Sequence, residues 1–82
     1  MANVPNSAVA ATIRADITAA EDAIARATNR VQDCLDLALQ VEATDPGIAA
    51  GLRHLADVET SRAAYFEGRL PVLQAELDRW MA

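Results

Sequence analysis

The stretch from Ile13 to Val41 reads IRADITAAEDAIARATNRVQDCLDLALQV and carries a strict helical repeat. Its apolar or small residues are spaced alternately by four and three positions, at Ile13, Ile17, Ala20, Ile24, Ala27, Val31, Cys34, Ala38 and Val41. This heptad spacing is typical of a helix that packs lengthwise against another helix. We call this stripe, together with its counterpart in the second half of the chain, the seam.

A short break separates this segment from a second helical pattern. In the sequence Ala43-Thr44-Asp45-Pro46-Gly47, Thr44 or Asp45 can cap a helix, and Pro46 suits the first helical position. A connection this short makes the two helices antiparallel. The seam resumes at Leu52, Ala56, Glu59, Ala63, Phe66, Leu70, Leu73, Leu77 and Trp80.

The sequence therefore predicts an all-α protein, a single antiparallel helical-hairpin domain over residues 1–82. Helix one is expected over about 6–43, after a loose lead-in and a cap at Asn6 or Ser7, the bend at 43–47, and helix two over about 46–81. Two helices can bury only one stripe each. We therefore expect this coiled-coil hairpin to form a four-helix bundle or to dock on a larger helical assembly.

Two features disturb helix two. Glu59 falls on the seam, where an unpaired carboxylate is costly unless Arg30 or Arg62 reaches it. The favoured alternative is that Val58 turns inward and Glu59 lies at the rim, because charged residues are rarely buried. The segment Gly68–Pro71 predicts a kink, or a short break with a new turn at Pro71, since an internal proline removes a helical hydrogen bond.

Composition excludes several classes of function. The 82 residues carry 12 acidic side chains against 7 arginines and a net charge of −5, which argues against nucleic-acid binding. One cysteine excludes an internal disulfide framework. The N-terminus has no signal-peptide pattern, and no run approaches the roughly 18 apolar residues of a membrane span. We expect a soluble, cytoplasmic, acidic protein; we take the absence of lysine as codon bias and the composition as bacterial-like.

The chain offers little for catalysis. His54 lies off the seam, Asp57 beside it makes one weak pair, and Cys34 suits a small core residue without a neighbouring base. Metal sites in helical bundles use Glu-x-x-His pairs, and the chain has none. No phosphate-binding loop or catalytic motif is present. We therefore predict no enzyme activity, no metal and no cofactor.

The apolar residues left off the seam suggest a partner. Part of the second stripe clusters near the bend, and the tryptophan adds an aromatic anchor that either folds over Ala10 and Ile13 or contacts a partner. The expected interface comprises Leu35, Leu37, Leu39, Ile48, Leu55, Val58, Val72 and Trp80. The leading hypothesis is a non-enzymatic interaction protein that forms a homo-oligomer or binds another helical protein as an adaptor or regulatory subunit.

Three resemblances frame the alternatives. The hairpin topology resembles Rop-like proteins, which dimerise into four-helix bundles. Residues 44–52, TDPGIAAGL, resemble the bend of type III secretion needle subunits, and Ser61–Tyr65 resembles the C-terminal helix of flagellar rod and hook proteins. The last two likenesses imply a second hypothesis, a subunit of a helical secretion or appendage filament. A third hypothesis is a histidine phosphotransfer-type protein, since an exposed His54 on a hairpin resembles such domains, although the residues around it, RHLADV, match neither of their usual patterns.

Overall fold

The protein is a long antiparallel pair of helices. A computed structural model describes residues 3–81, and their side chains from residue 7 onward. Helix α1 spans Asn3–Val41 and helix α2 spans Pro46–Met81, and the two pack lengthwise against each other. The resulting rod measures 66 × 14 × 12 Å. The all-α hairpin predicted from the sequence is thereby confirmed.

Helix α1 begins earlier than predicted. Its first residue is Asn3, so the expected cap at Asn6 or Ser7 and the expected lead-in at residues 3–5 are wrong; residues 1 and 2 lie outside the described part. The physical reason is that Pro5 falls in the first turn, where backbone N–H groups have no helical acceptor and a proline costs nothing. At its other end α1 stops at Val41, two residues before the predicted position.

The bend satisfies the backbone groups at both helix ends. The Val41 carbonyl accepts from the Thr44 N–H, the Asp45 N–H and the Thr44 hydroxyl at 3.1, 2.7 and 3.2 Å. Asp45 caps α2, because its Oδ1 accepts the Ile48 N–H at 3.1 Å, and Pro46 occupies the first helical position. Of the two predicted caps, Asp45 therefore caps the N-terminus of α2, and Thr44 donates hydrogen bonds to the last residue of α1.

The core lies along the seam and is thin. The buried apolar residues are Ala10, Ile13, Ala20, Ala27, Ala38, Ala49, Ala56, Ala63 and Leu73. Seven of these nine are alanines, which bury little area. Larger seam residues such as Ile17, Ile24 and Phe66 are only half-buried, and among the described residues no large side chain is fully buried. Two helices alone thus leave the seam partly open to solvent.

Helix α2 runs without a break through Pro71. The expected break is wrong, while the expected kink stays a prediction. Pro71 itself is exposed, whereas Leu70 and Leu73 on either side pack into the core cluster with Ile13 and Ala20. This packing holds the helix together where the proline removes a hydrogen bond. Over residues 3–81 neither helix has a stretch long and apolar enough to cross a membrane.

Candidate protein-interaction surface

The hairpin presents two long sides of different chemistry. The seven-residue repeat places polar, charged and apolar columns beside the seam on each side. We define the arginine flank as Val9, Asp16, Ala19, Ala23, Arg26, Arg30 and Leu37 of α1 with Ile48, Leu55, Val58, Arg62, Tyr65, Arg69, Val72 and Glu76 of α2. We define the acidic flank as Arg14, Glu21, Thr28, Leu35 and Glu42 of α1 with Arg53, Asp57, Thr60, Glu67, Gln74, Asp78 and Met81 of α2.

An open groove runs along the middle of the arginine flank. Its two adjoining parts, of about 340 and 410 Å³, share Ala23, Arg26 and Phe66 as lining residues. The small side chains of α1 make the groove, because they leave space opposite the phenylalanine ring. Four of the seven arginines line it, namely Arg26, Arg30, Arg62 and Arg69. A protein with a net charge of −5 therefore concentrates its positive charge at one groove.

Glu59 lies on the seam beside this groove. Its side chain is 13% exposed, its Oε1 lies 3.3 Å from Arg62 Nη1 and 3.7 Å from Arg30 Nη1, and its buried Oε2 has no hydrogen-bond partner. The favoured prediction, with Val58 inside and Glu59 at the rim, is wrong, since Val58 is 42% exposed. Both arginines reach one oxygen of the carboxylate, and this pairing offsets part of the cost of its burial.

The structure leaves most of the predicted interface residues exposed. Leu35, Leu37, Leu39, Ile48, Leu55, Val58 and Val72 are all exposed large hydrophobics. They lie on more than one face of the hairpin. Leu37, Ile48, Leu55, Val58 and Val72 share the arginine flank, whereas Leu35 belongs to the acidic flank.

Trp80 packs within the hairpin, and its contact with a partner stays a prediction. It is half-buried and packs against the core cluster that contains Ile13, and its indole N–H donates to Glu76 Oε1 at 3.0 Å. Of the two placements considered, the ring therefore folds back onto α1. A tryptophan needs one partner for its N–H, and Glu76, one helical turn earlier, supplies it.

Sequence reasoning missed Tyr65, which is 61% exposed on the arginine flank, with its ring edge-on to Phe66 at 5.2 Å between centroids. Tyr65 lies seven residues after Val58 and seven before Val72, so the three form one column along α2. This seven-residue spacing of Val58, Tyr65 and Val72 is the sequence pattern that could have identified Tyr65 as an interface residue. Met81 is also exposed, and its sulfur accepts from Arg14 Nη2 at 2.7 Å.

The candidate catalytic and metal-binding residues, His54 and Cys34, lie on different faces of the hairpin. His54 is exposed on the outer face of α2, and Cys34 is half-buried on the seam as a free thiol. In the described part of the chain, no three acidic, histidine or cysteine side chains converge as they would at a metal site. The phosphotransfer hypothesis stays untested by this arrangement.

Comparison of the chain with protein-family models, with curated proteins and with solved structures gave no match.

Proposed function

We propose that this protein is a non-enzymatic helical assembly protein whose working surface is the arginine flank. It acts as a homodimer or as a small adaptor or regulatory subunit on a larger helical assembly, in the cytoplasm. The observation that carries this proposal is the exposed apolar column of Val58, Tyr65 and Val72 beside a groove lined by four arginines. Exposed apolar residues aligned on one face typify protein interfaces, whose cores are enriched in tyrosine and arginine.

The half-buried seam supports the same proposal. Large residues of α2 such as Phe66 and Leu70 are partly exposed although they pack against the core cluster that contains Ile13 and Ala20 of α1. Burying apolar surface contributes roughly 25 cal/mol per Å², so a third or fourth helix over the groove would stabilise the fold substantially. An enzyme, by contrast, needs convergent polar groups in a concave site, and this groove is open and presents Asp16 and the paired Glu59 among four arginines.

Position-resolved photo-crosslinking in the cells that produce the protein tests this function. A benzophenone amino acid replaces Tyr65 or Val72 on the arginine flank and, as matched controls, Ser61 or Ala75 on the outer face of α2. We expect adducts of discrete mass from the flank positions and none from the controls. Equal labelling, or no labelling, at all four positions would contradict the proposed working surface.

A filament subunit is the second candidate. Helix α2 is continuous through Pro71, so both helices offer uninterrupted surfaces for lateral packing, as a filament of hairpins requires. The two flanks also differ in charge, which would suit contact between the arginine flank of one subunit and the acidic flank of the next. An open-ended polymer in sedimentation would favour this candidate, and a discrete dimer would favour the first.

A further inference from the structure

We propose that the arginine flank binds the arginine flank of a second copy of this chain, with the two hairpins antiparallel about a two-fold axis near Ala23. This inference rests on the proposed function and names the partner. Each bend then lies at the open end of the other hairpin, and the four helices form one bundle.

The α1 column of the flank is self-complementary. It consists of Val9, Asp16, Ala23, Arg30 and Leu37, which recur every seven residues. The two-fold rotation about Ala23 places each residue of this column opposite a residue of the second copy with opposite charge or with the same apolar character. Asp16 meets Arg30 of the second copy, and Val9 meets its Leu37. Ala23 meets itself, where only a small residue permits close approach of two helices.

The corresponding column of α2, Arg62, Arg69 and Glu76, is self-complementary about the same two-fold axis. Arg30 and Arg62 reach the same oxygen of Glu59, so Ala23, seven residues before Arg30, lies near the level of Arg69, seven residues after Arg62, and the axis crosses α2 there. Arg62 and Glu76 lie seven residues on either side of that level, and each meets the other on the second copy. Opposite charges paired across an interface fix its register and disfavour other alignments.

The same two-fold axis also brings exposed apolar residues of α2 from the two chains into contact. Tyr65 and Val72 lie on either side of the Arg69 level, so the exposed ring of one chain covers the exposed valine of the other. One contact is unfavourable, because Arg69 faces its own copy at the axis. Replacing Arg69 by alanine is therefore expected to tighten the dimer.

The parallel alternative, with both bends at the same end, lacks this complementarity. In that arrangement residues of the same level meet, so Arg30 and Arg62 of one chain face the same arginines of the other. Asp16 and Glu76 also share a level, so these carboxylates would face each other, while Glu59 is already shared between its own two arginines. Like charges across an interface are costly.

The experiment measures mass and orientation together. Ala43, exposed in the turn after α1, is replaced by cysteine with Cys34 changed to alanine, and a spin label is attached. Sedimentation equilibrium should give a dimer. Because Ala43 lies 20 residues from Ala23, the electron–electron distance should be roughly 60 Å, against roughly 20–30 Å for the parallel dimer.

A pair of charge reversals tests the proposed contact. Asp16→Arg on the flank places positive charge against Arg30 of the second copy at two symmetric positions, and we expect about a tenfold rise in the dimer dissociation constant. Asp22→Arg makes the same change on the outer face of α1 and should leave the constant within about twofold.

The outcomes separate this inference from the proposed function. A dimer with the short distance, a polymer, or a monomer at every concentration would overturn the antiparallel dimer. Equal effects of the two charge reversals would overturn it as well. In each case the crosslinking at Tyr65 and Val72 still decides separately whether the arginine flank is a working surface.

Discussion

Glu59 shows how a single charged residue is accommodated on an apolar seam. Its side chain is mostly buried, one oxygen is shared by Arg30 and Arg62, and the other has no hydrogen-bond partner. A buried polar atom without a partner costs about 1–3 kcal/mol. The pairing with Arg30 links the two helices at one level, so Glu59 favours one register of the hairpin at the expense of stability.

Replacing Glu59 by leucine should therefore raise the free energy of unfolding by about 1–3 kcal/mol. The substitution removes the unpartnered oxygen and completes the apolar stripe, and buried ion pairs replaced by apolar residues of similar volume are often neutral or stabilising. Urea unfolding followed by circular dichroism measures the change. Glu67→Leu, the same change at an exposed position, is the control and should have an effect within about 0.5 kcal/mol. A loss of stability in Glu59→Leu would show that the two arginine contacts outweigh the burial.

The cap of α2 depends on one side chain. Asp45→Ala removes the acceptor for the Ile48 N–H and should cost about 1 kcal/mol in thermal or urea unfolding. Asp45→Asn keeps an equivalent acceptor and should differ by a few tenths only. Equal losses in the two variants would mean that the charge of Asp45, and not its hydrogen bond, stabilises the helix.

At the scale of the elements, α2 tolerates a proline in its interior. Pro71→Ala restores an N–H donor for the carbonyl of Glu67, four residues earlier, and should stabilise the protein by about 1–3 kcal/mol. Gly68→Ala, whose added Cβ meets open space, is the companion variant and should contribute about 1 kcal/mol through backbone entropy. If Pro71→Ala stabilised no more than Gly68→Ala, the helix would already be relaxed around the proline.

The helices and their bend were predictable because they follow local rules. The heptad spacing from Ile13 to Val41 and the cap at Asp45 require only neighbours along one helix. Glu59 was misplaced because its burial depends on Arg30 of the other helix. Trp80 was left between two placements for a related reason, since its packing depends on the core cluster around Ile13. The groove was missed because it depends on which small residues of α1 face Phe66.

At the scale of the whole molecule, the protein is a thin rod whose core consists mainly of alanine. A chain of this size buries only about 60% of its unfolded surface when it folds alone, less than a larger domain does. In the proposed dimer the arginine flank would supply further buried surface through its apolar column, its groove and the charges on either side of Ala23. Association of two chains would convert the half-buried seam residues into the interior of a four-helix bundle.

The most direct test of this account is the melting temperature measured by circular dichroism over a hundredfold range of protein concentration. If folding is linked to dimerisation through the arginine flank, mass action should raise the melting temperature by roughly 5–10 °C between the lowest and the highest concentration. A melting temperature constant within about 1 °C over that range would contradict the account, because it would mean that the hairpin folds without a second copy.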